Sequence, residues 1–488
     1  MNLLELWHPN GTAPRVMVLG RANIGVLTPK LSVDATEPAD LIIMAPTKAE
    51  YRRQSALHAY IQTVAHRLVP DGIAYILVPA RLRLRMQRLM CQHGFSLHTA
   101  LVHLPNWTSG TCLVPLTARL ARSVVLGLLP GQRWRHVLAR LVLQLPGGIS
   151  LLRTSLPHVG LLFTRSGARP PLAWLYDDYP TGSAAIMTSW RGLNSTVRVY
   201  SLPASTDVMP SIAKVSGAER DYRQITAAAQ LKQMGRNAQL AGVQVPQVVY
   251  VTALGKRPVV LEQLIVGDVV AGMLPRNPNL LPDIMDHLTT WLVAWNQRTH
   301  AVQPLRQADV EQLLLEPAHV IMPHVAEHGL YLAWLKQRVA TMIGQPVPFV
   351  AAHQDLTMWN VLMDRKQRVT VVDWEAANNH ALPLVDFWYA MVDAVAATQH
   401  YADRVDAFDA CFSPGGSYRQ LVNNFQRRFC YVLALPQPLV ELAFHACWLH
   451  HAANEQRAPY NMTRRPFLNI VQRLATDART MYGAHWNA

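Results

Sequence analysis

The chain has 488 residues, half of them hydrophobic and 16% charged, which provides core for more than one domain and argues against a largely disordered polymer. Its 45 Lys and Arg against 31 Asp and Glu leave a net charge of +14, a balance that favours anionic over polycationic partners. The five cysteines (Cys91, Cys112, Cys411, Cys430, Cys447) are scattered with no C-x-x-C pair, which argues against a disulfide framework or a structural zinc site and for a reducing cytoplasm.

No basic segment followed by an apolar one opens the sequence, so no export signal is expected. The longest apolar candidate, Ser123 to Pro130, is too short to span a bilayer, and a soluble cytoplasmic protein is expected. The positive charge is uneven. From Gly72 to Tyr176 there is no Asp or Glu while twelve Arg occur, a field that attracts phosphates, anionic headgroups or nucleic acid, although no specific nucleic-acid motif is present. A solvated Arg-rich face is the plainer alternative.

Residues 1–105 alternate strand and helix. Arg15 to Gly20 and Asp40 to Met44 are short apolar strands, and Lys48 to Leu68 has helical periodicity with Leu57, Tyr60, Ile61, Val64 and Leu68 on one face. Pro70-Asp71-Gly72 is a turn before a strand from Ile73 to Val78, and Arg81 to Cys91 is a basic helix before a strand at Gly94-Phe95. This order predicts a parallel α/β sheet covered on both faces. Ala39-Asp40-Leu41-Ile42, the turn at Asp71-Gly72 and His93-Gly94-Phe95 resemble the later part of a class I methyltransferase domain, with Gly94-Phe95 preceding its last hairpin. After VLGRANIG, however, only fourteen residues precede Asp40, too few for the strand and acidic residue that would hold the cofactor. The region is therefore expected to be a partial, Rossmann-like remnant that binds no S-adenosylmethionine. Residues 106–180 form a proline-broken basic connection, with an amphipathic helix from Arg133 to Leu145 that would suit a membrane surface or an interdomain link.

From Ala351 the sequence reads AAHQDLTMWNVLMDRKQRVTVVDWEAA. Asp355 and Asn360 lie five apart, and Asp373 ends an apolar strand. A carboxylate to take a hydroxyl proton and two oxygen donors for magnesium are what phosphoryl transfer asks of a protein. The run His353, Asp355, Asn360, Val372, Asp373, Trp374, Glu375 resembles the H-x-D-x-x-x-x-N…[IV]-D-W-E motif of aminoglycoside phosphotransferases and choline kinases. The resemblance implies a bilobal, protein-kinase-like α+β domain using ATP and Mg2+. In it Asp355 would be the catalytic base, His353 would brace the loop, Asn360 and Asp373 would ligate metal, and Asp386 in PLVDF would steady the loop.

That resemblance also implies a nucleotide lobe over residues 181–265 and a helical lobe over 266–488. Lys214, in the strand Pro210 to Val215, would contact the phosphates. Gly192, Asn194 and Ser195 would form the turn over them, and Glu262 and Gln263 would lie at the strand and hinge that meet adenine. One departure is plain: the helix after Lys214 should carry a Glu near Ala227, yet no acid occurs between Asp221 and Glu262. Glu219 or Asp221 would be substitutes. The expected activity is phosphorylation of a hydroxyl on a small molecule, a sugar, glycoside or lipid-linked acceptor. The alternative is a pseudokinase scaffold that binds nucleotide or an anionic surface without turnover. His450 and His451, adjacent on a helix, point in different directions and suit surface or core better than a metal.

Overall fold

The computed structural model describes residues 14–20, 37–104, 112–115, 158–168, 172, 183–188, 196–202, 210–217, 223–326, 328–457 and 465–483. The chain divides into two units, residues 1–228 with 247–264, and residues 229–246 with 265–488.

Among the described residues, the first unit is built on one sheet of eleven strands. In chain order these are β1 (Val16–Gly20), β2 (Ala39–Ala45), β3 (Leu68–Pro79), β4 (Phe95–Leu104), β5 (Cys112–Pro115), β6 (His158–Arg165), β7 (Ser183–Thr188), β8 (Val197–Leu202), β9 (Ser211–Val215), β10 (Val248–Leu254) and β11 (Arg257–Gln263). Their order across the sheet is β1-β2-β3-β6-β4-β5-β7-β8-β9-β11-β10. β1, β2 and β3 are parallel, and β2 is buried along nearly its whole length, as a strand covered on both faces must be. β6 inserts antiparallel between β3 and β4, and every pairing from β4 onward is antiparallel.

Helices α1 (Lys48–Arg52), α2 (Gln54–Arg67) and α3 (Arg83–Gln92) cover one face of the first strands. Leu57, Ile61, Val64, Met86 and Met90 pack there against Ile42, Met44 and Ile76. The single helix predicted over 48–68 is interrupted at Arg53, which is extended (φ −91°, ψ 107°). The break follows a short first helix with its own capping box, in which the Thr47 N–H donates to Glu50 at 2.6 Å and the Glu50 N–H to Thr47 Oγ1 at 3.3 Å. Pro70-Asp71-Gly72 lies within β3 as a bulge: the three residues Ala39 to Leu41 of β2 oppose the six from Leu68 to Ile73. Arg165 of β6 closes α2 by donating to the carbonyls of Ala65 (2.6 Å) and Leu68 (2.9 Å). The residues proposed for the amphipathic helix at 133–145 lie outside the described ones.

The second unit contains two three-stranded sheets. One joins β12 (Asp268–Val269), β15 (Val361–Met363) and β16 (Val369–Val371); the other joins β13 (Ala301–Pro304), β14 (Pro346–Ala352) and β17 (Asn378–Ala381). Around them lie α5 (Leu281–Thr299), α6 (His328–Met342), α7 (Val385–Thr398), α8 (Arg404–Phe412), α9 (Arg419–Val432), α10 (Gln437–Arg457) and α11 (Pro466–Gly483), while α4 (Arg223–Ala241) precedes β10. α7 and α10 are apolar almost all round and buried, which makes them the core helices. The predicted face of α5, with Leu288, Trp291, Leu292 and Trp295, is buried. Trp295 stacks on Trp291 and packs against Trp374, and its Nε1 donates to the Ala351 carbonyl at 2.7 Å. That aromatic cluster fixes the end of β14, from which the loop carrying Asp355 and Asn360 starts.

Candidate active site

β14 ends at Ala352, and the next residues are held by a buried carboxylate. Asp386, in the first turn of α7, accepts from the backbone N–H groups of His353 (2.6 Å) and Gln354 (2.9 Å). Gln354 and, before α7, Leu384 adopt left-handed backbone (φ 66° and 71°), a conformation costing about 1–3 kcal/mol that persists only where neighbours enforce it. Burial pushes the Asp386 carboxyl up, and His353 with these backbone donors acts against it.

His353 is buried and braces the loop. Its Nε2 lies 2.9 Å from the Val372 carbonyl, so Nε2 carries the proton and Nδ1 accepts the Asp355 N–H at 3.3 Å. The loop then turns through Thr357 N–H to Asp355 O (2.8 Å) and Asn360 N–H to Thr357 O (2.9 Å). Asn360 Nδ2 donates back to the Asp355 carbonyl at 2.9 Å, which directs Oδ1 the other way. The Val372 N–H donates to the Asn360 carbonyl at 2.9 Å, so β15 and β16 bring Asn360 beside Asp373. Asp373 is left-handed as well (φ 68°). An amide oxygen and a carboxylate are hard oxygen donors that fit magnesium, a cation usually held by one or two protein ligands together with phosphate oxygens.

Asp355 is exposed at the surface yet crowded by protein atoms, and this desolvation pushes its carboxyl up to about 6. Asp373 and Asp393 push in the same direction, while His353 and the Tyr389 hydroxyl oppose it. Tyr389 donates to Asp355 Oδ1 at 3.4 Å, and its ring stacks on His451 at 3.6 Å between centroids.

Sequence reasoning missed Tyr389 and a second buried carboxylate, Asp393. Asp393 accepts from Met358 N–H (2.7 Å), Tyr401 OH (3.1 Å) and Arg404 Nη2 (2.7 Å), tying the middle of the loop to α7 and α8. A signal existed, because Asp393 is seven residues from Asp386 in an otherwise apolar helix. That spacing puts both on one face, and an acid in such a setting needs partners.

Lys214 belongs to the first unit. Its Nζ lies 3.3 Å from Glu262 Oε1, with both side chains less than a tenth exposed. Glu262 thus stands on β11 as expected, but its side chain meets the lysine. Gln263 donates its N–H to the Gln247 carbonyl at 2.8 Å. Gly192, Asn194 and Ser195 lie outside the described residues.

In the second unit a cavity of ≈ 230 Å³ adjoins the loop after β14, lined among others by Gln354, Asn378, Asp386, His450, His451 and Arg457. Arg457 is paired with Glu316, also a lining residue, at 2.9 Å. Burial pushes His450 down to about 4 and His451 well below its ordinary value, so both imidazoles are neutral near pH 7.

Asp355, Asn360 and Asp373 on the loop and the buried Lys214 on its strand are residue types that phosphoryl transfer can use. Residues 212–416, which contain all of them, match the model of the phosphotransferase enzyme family, APH. Among solved structures, an aminoglycoside phosphotransferase, APH(3'')-Id of Streptomyces rimosus, is similar at 16% identity over 57% of this chain and 97% of that one, with a TM-score of 0.34. The choline kinase LicA of Streptococcus pneumoniae is similar at 13% identity over 63% and 96%, with a TM-score of 0.34. The spectinomycin phosphotransferase APH(9)-Ia is similar at 11% identity over 60% and 88%, with a TM-score of 0.35. No curated protein matches the chain.

Proposed function

We propose that this chain is an ATP- and magnesium-dependent phosphotransferase acting on a hydroxyl of a small molecule. The observation that carries the reading is the double tether of the catalytic loop by Asp386, which presents Asp355 beside Asn360 and Asp373. Asp355 takes the hydroxyl proton as the acceptor oxygen bonds to the γ-phosphorus and the bond to the ADP oxygen breaks; the proton then passes to solvent. Asn360 and Asp373 would hold magnesium, whose charge offsets that of the phosphates. His353 and Asp393 keep the loop in register, and Lys214 would meet the phosphates in the first unit. Glu262 beside Lys214 supports turnover over the scaffold alternative, whose ground was the missing helix acid.

The cavity beside Gln354 supports an uncharged or anionic acceptor such as a sugar, glycoside or lipid-linked hydroxyl. Its acids are engaged: Asp386 holds backbone donors and Glu316 holds Arg457, which leaves little to receive the ammonium groups of a polycation. The test is magnesium-dependent ADP formation across neutral, anionic and cationic acceptors, with Asp355→Asn and Asp373→Ala alongside the wild type. Turnover unchanged in both variants would remove the assignment.

For the first strands, the parallel set β1-β2-β3 and the β4–β6 antiparallel pair after Gly94-Phe95 support the methyltransferase-like remnant as a scaffold. The anionic contact expected of the Arg-rich region finds support on α3. Arg81, just before it, and Arg85 and Arg88 on it are exposed, and Leu84 among them is 56% exposed.

A further inference from the structure

Lys214 of β9 has Val260 of β11 directly opposite, and Glu262 stands two residues further along the same face, opposite Ile212. Diagonal neighbours on adjacent strands root about 7–8 Å apart, a gap that two long side chains can close. Lys214 and Glu262 close it to 3.3 Å in a nearly dry setting. Arg198 of β8 stands opposite Lys214 on its other side, so Arg198 and Glu262 flank the lysine on the adjacent strands. The other face of these strands, with Ala213, Val215, Val259 and Leu261, is apolar core, which fixes which side chains share the polar face. α4 has no Asp or Glu along its nineteen residues and supplies no acid.

We infer that Glu262 is the positioning residue for Lys214, a strand-borne carboxylate that orients the lysine for nucleotide phosphates in place of a helix-borne one. The inference rests on the kinase reading above. Both partners belong to one sheet, and the ladder of β9 with β11 fixes their register. The pair therefore holds wherever α4 sits, and the lysine is set without a helix movement. Glu262 then serves the phosphate end of the nucleotide through Lys214, while adenine recognition falls to other groups.

Calorimetric titration of the full chain with Mg-ATP and with adenosine separates these roles, using wild type, Lys214→Met, Glu262→Gln, Glu262→Asp and the Lys214→Met/Glu262→Gln double variant. Lys214→Met is expected to weaken ATP by roughly tenfold or more, the worth of one charge-assisted hydrogen bond, with adenosine unchanged. Glu262→Gln should weaken ATP in the same direction, leave adenosine unchanged and add nothing to Lys214→Met, with Glu262→Asp recovering part of the loss. An equal loss for adenosine would assign Glu262 to the base, and a lowered melting temperature with unchanged ATP affinity would make the pair purely structural; either overturns the inference. Failure of the wild type to bind ATP, or no effect of Lys214→Met, would instead overturn the kinase reading itself.

Discussion

Asp386→Ala removes a carboxylate that satisfies two backbone N–H groups at 2.6 and 2.9 Å in a buried position. Each donor left without an acceptor costs about 1–3 kcal/mol, so the pair is expected to cost about 4 kcal/mol. For a body of about 150–250 residues that is a fall of roughly 8–16 °C in melting temperature. The loss reaches catalysis as well, because the same two bonds enforce the left-handed Gln354 just before Asp355. Asp386→Asn should recover less than half of the stability, since its NH2 group would face one of the two donors. Thermal melting and magnesium-dependent ADP formation, measured together at pH 8, check both effects. A variant that melts within a degree of wild type and turns over at the same rate would refute the tether.

As the proposed base, Asp355 would have to be ionised to take a proton, and burial pushes its carboxyl up to about 6, so turnover is expected to be flat above that pH and to fall as pH drops through it. Tyr389→Phe removes a donor to the ionised form and should move this acid limb to higher pH; a limb that stays or moves lower in the pH–rate profile would contradict the contact. On α3, changing Arg81, Arg85 and Arg88 together to Gln should weaken binding to phosphatidylglycerol vesicles by roughly a hundredfold, at about 1 kcal/mol per arginine. Leu84→Ser should weaken it further without a change of charge. Equal cosedimentation of wild type and variants would refute a lipid contact there.

The placement of the loop after β14 was legible because its residues are close in sequence and their spacing is dictated by one turn and one hairpin, as His353, Asp355, Asn360 and Asp373 show. Asp386 was legible for the same reason, in a short segment after the strand. The partner of Lys214 was not, since Glu262 lies 48 residues downstream and reaches the lysine only through an antiparallel register that periodicity does not specify. Tyr389 and Asp393 were hidden in an apolar helical run, where aromatic and acidic residues read as core or as solvated surface until the facing loop is in place. The break at Arg53 is a single extended residue between two helices, too local to disturb the helical period around it.

The union of β5 with β7 has a consequence for cutting the gene. A chain begun at residue 181 would retain the lysine strand, yet it would lose the neighbour that pairs Cys112 with Met187 and Leu113 with Ile186. The freed edge of β7 would offer its backbone groups to any passing strand, a template for self-association. Fragments meant to isolate the strands around Lys214 should therefore keep β5, or carry a proline or lysine on the exposed side of β7, to limit that self-association.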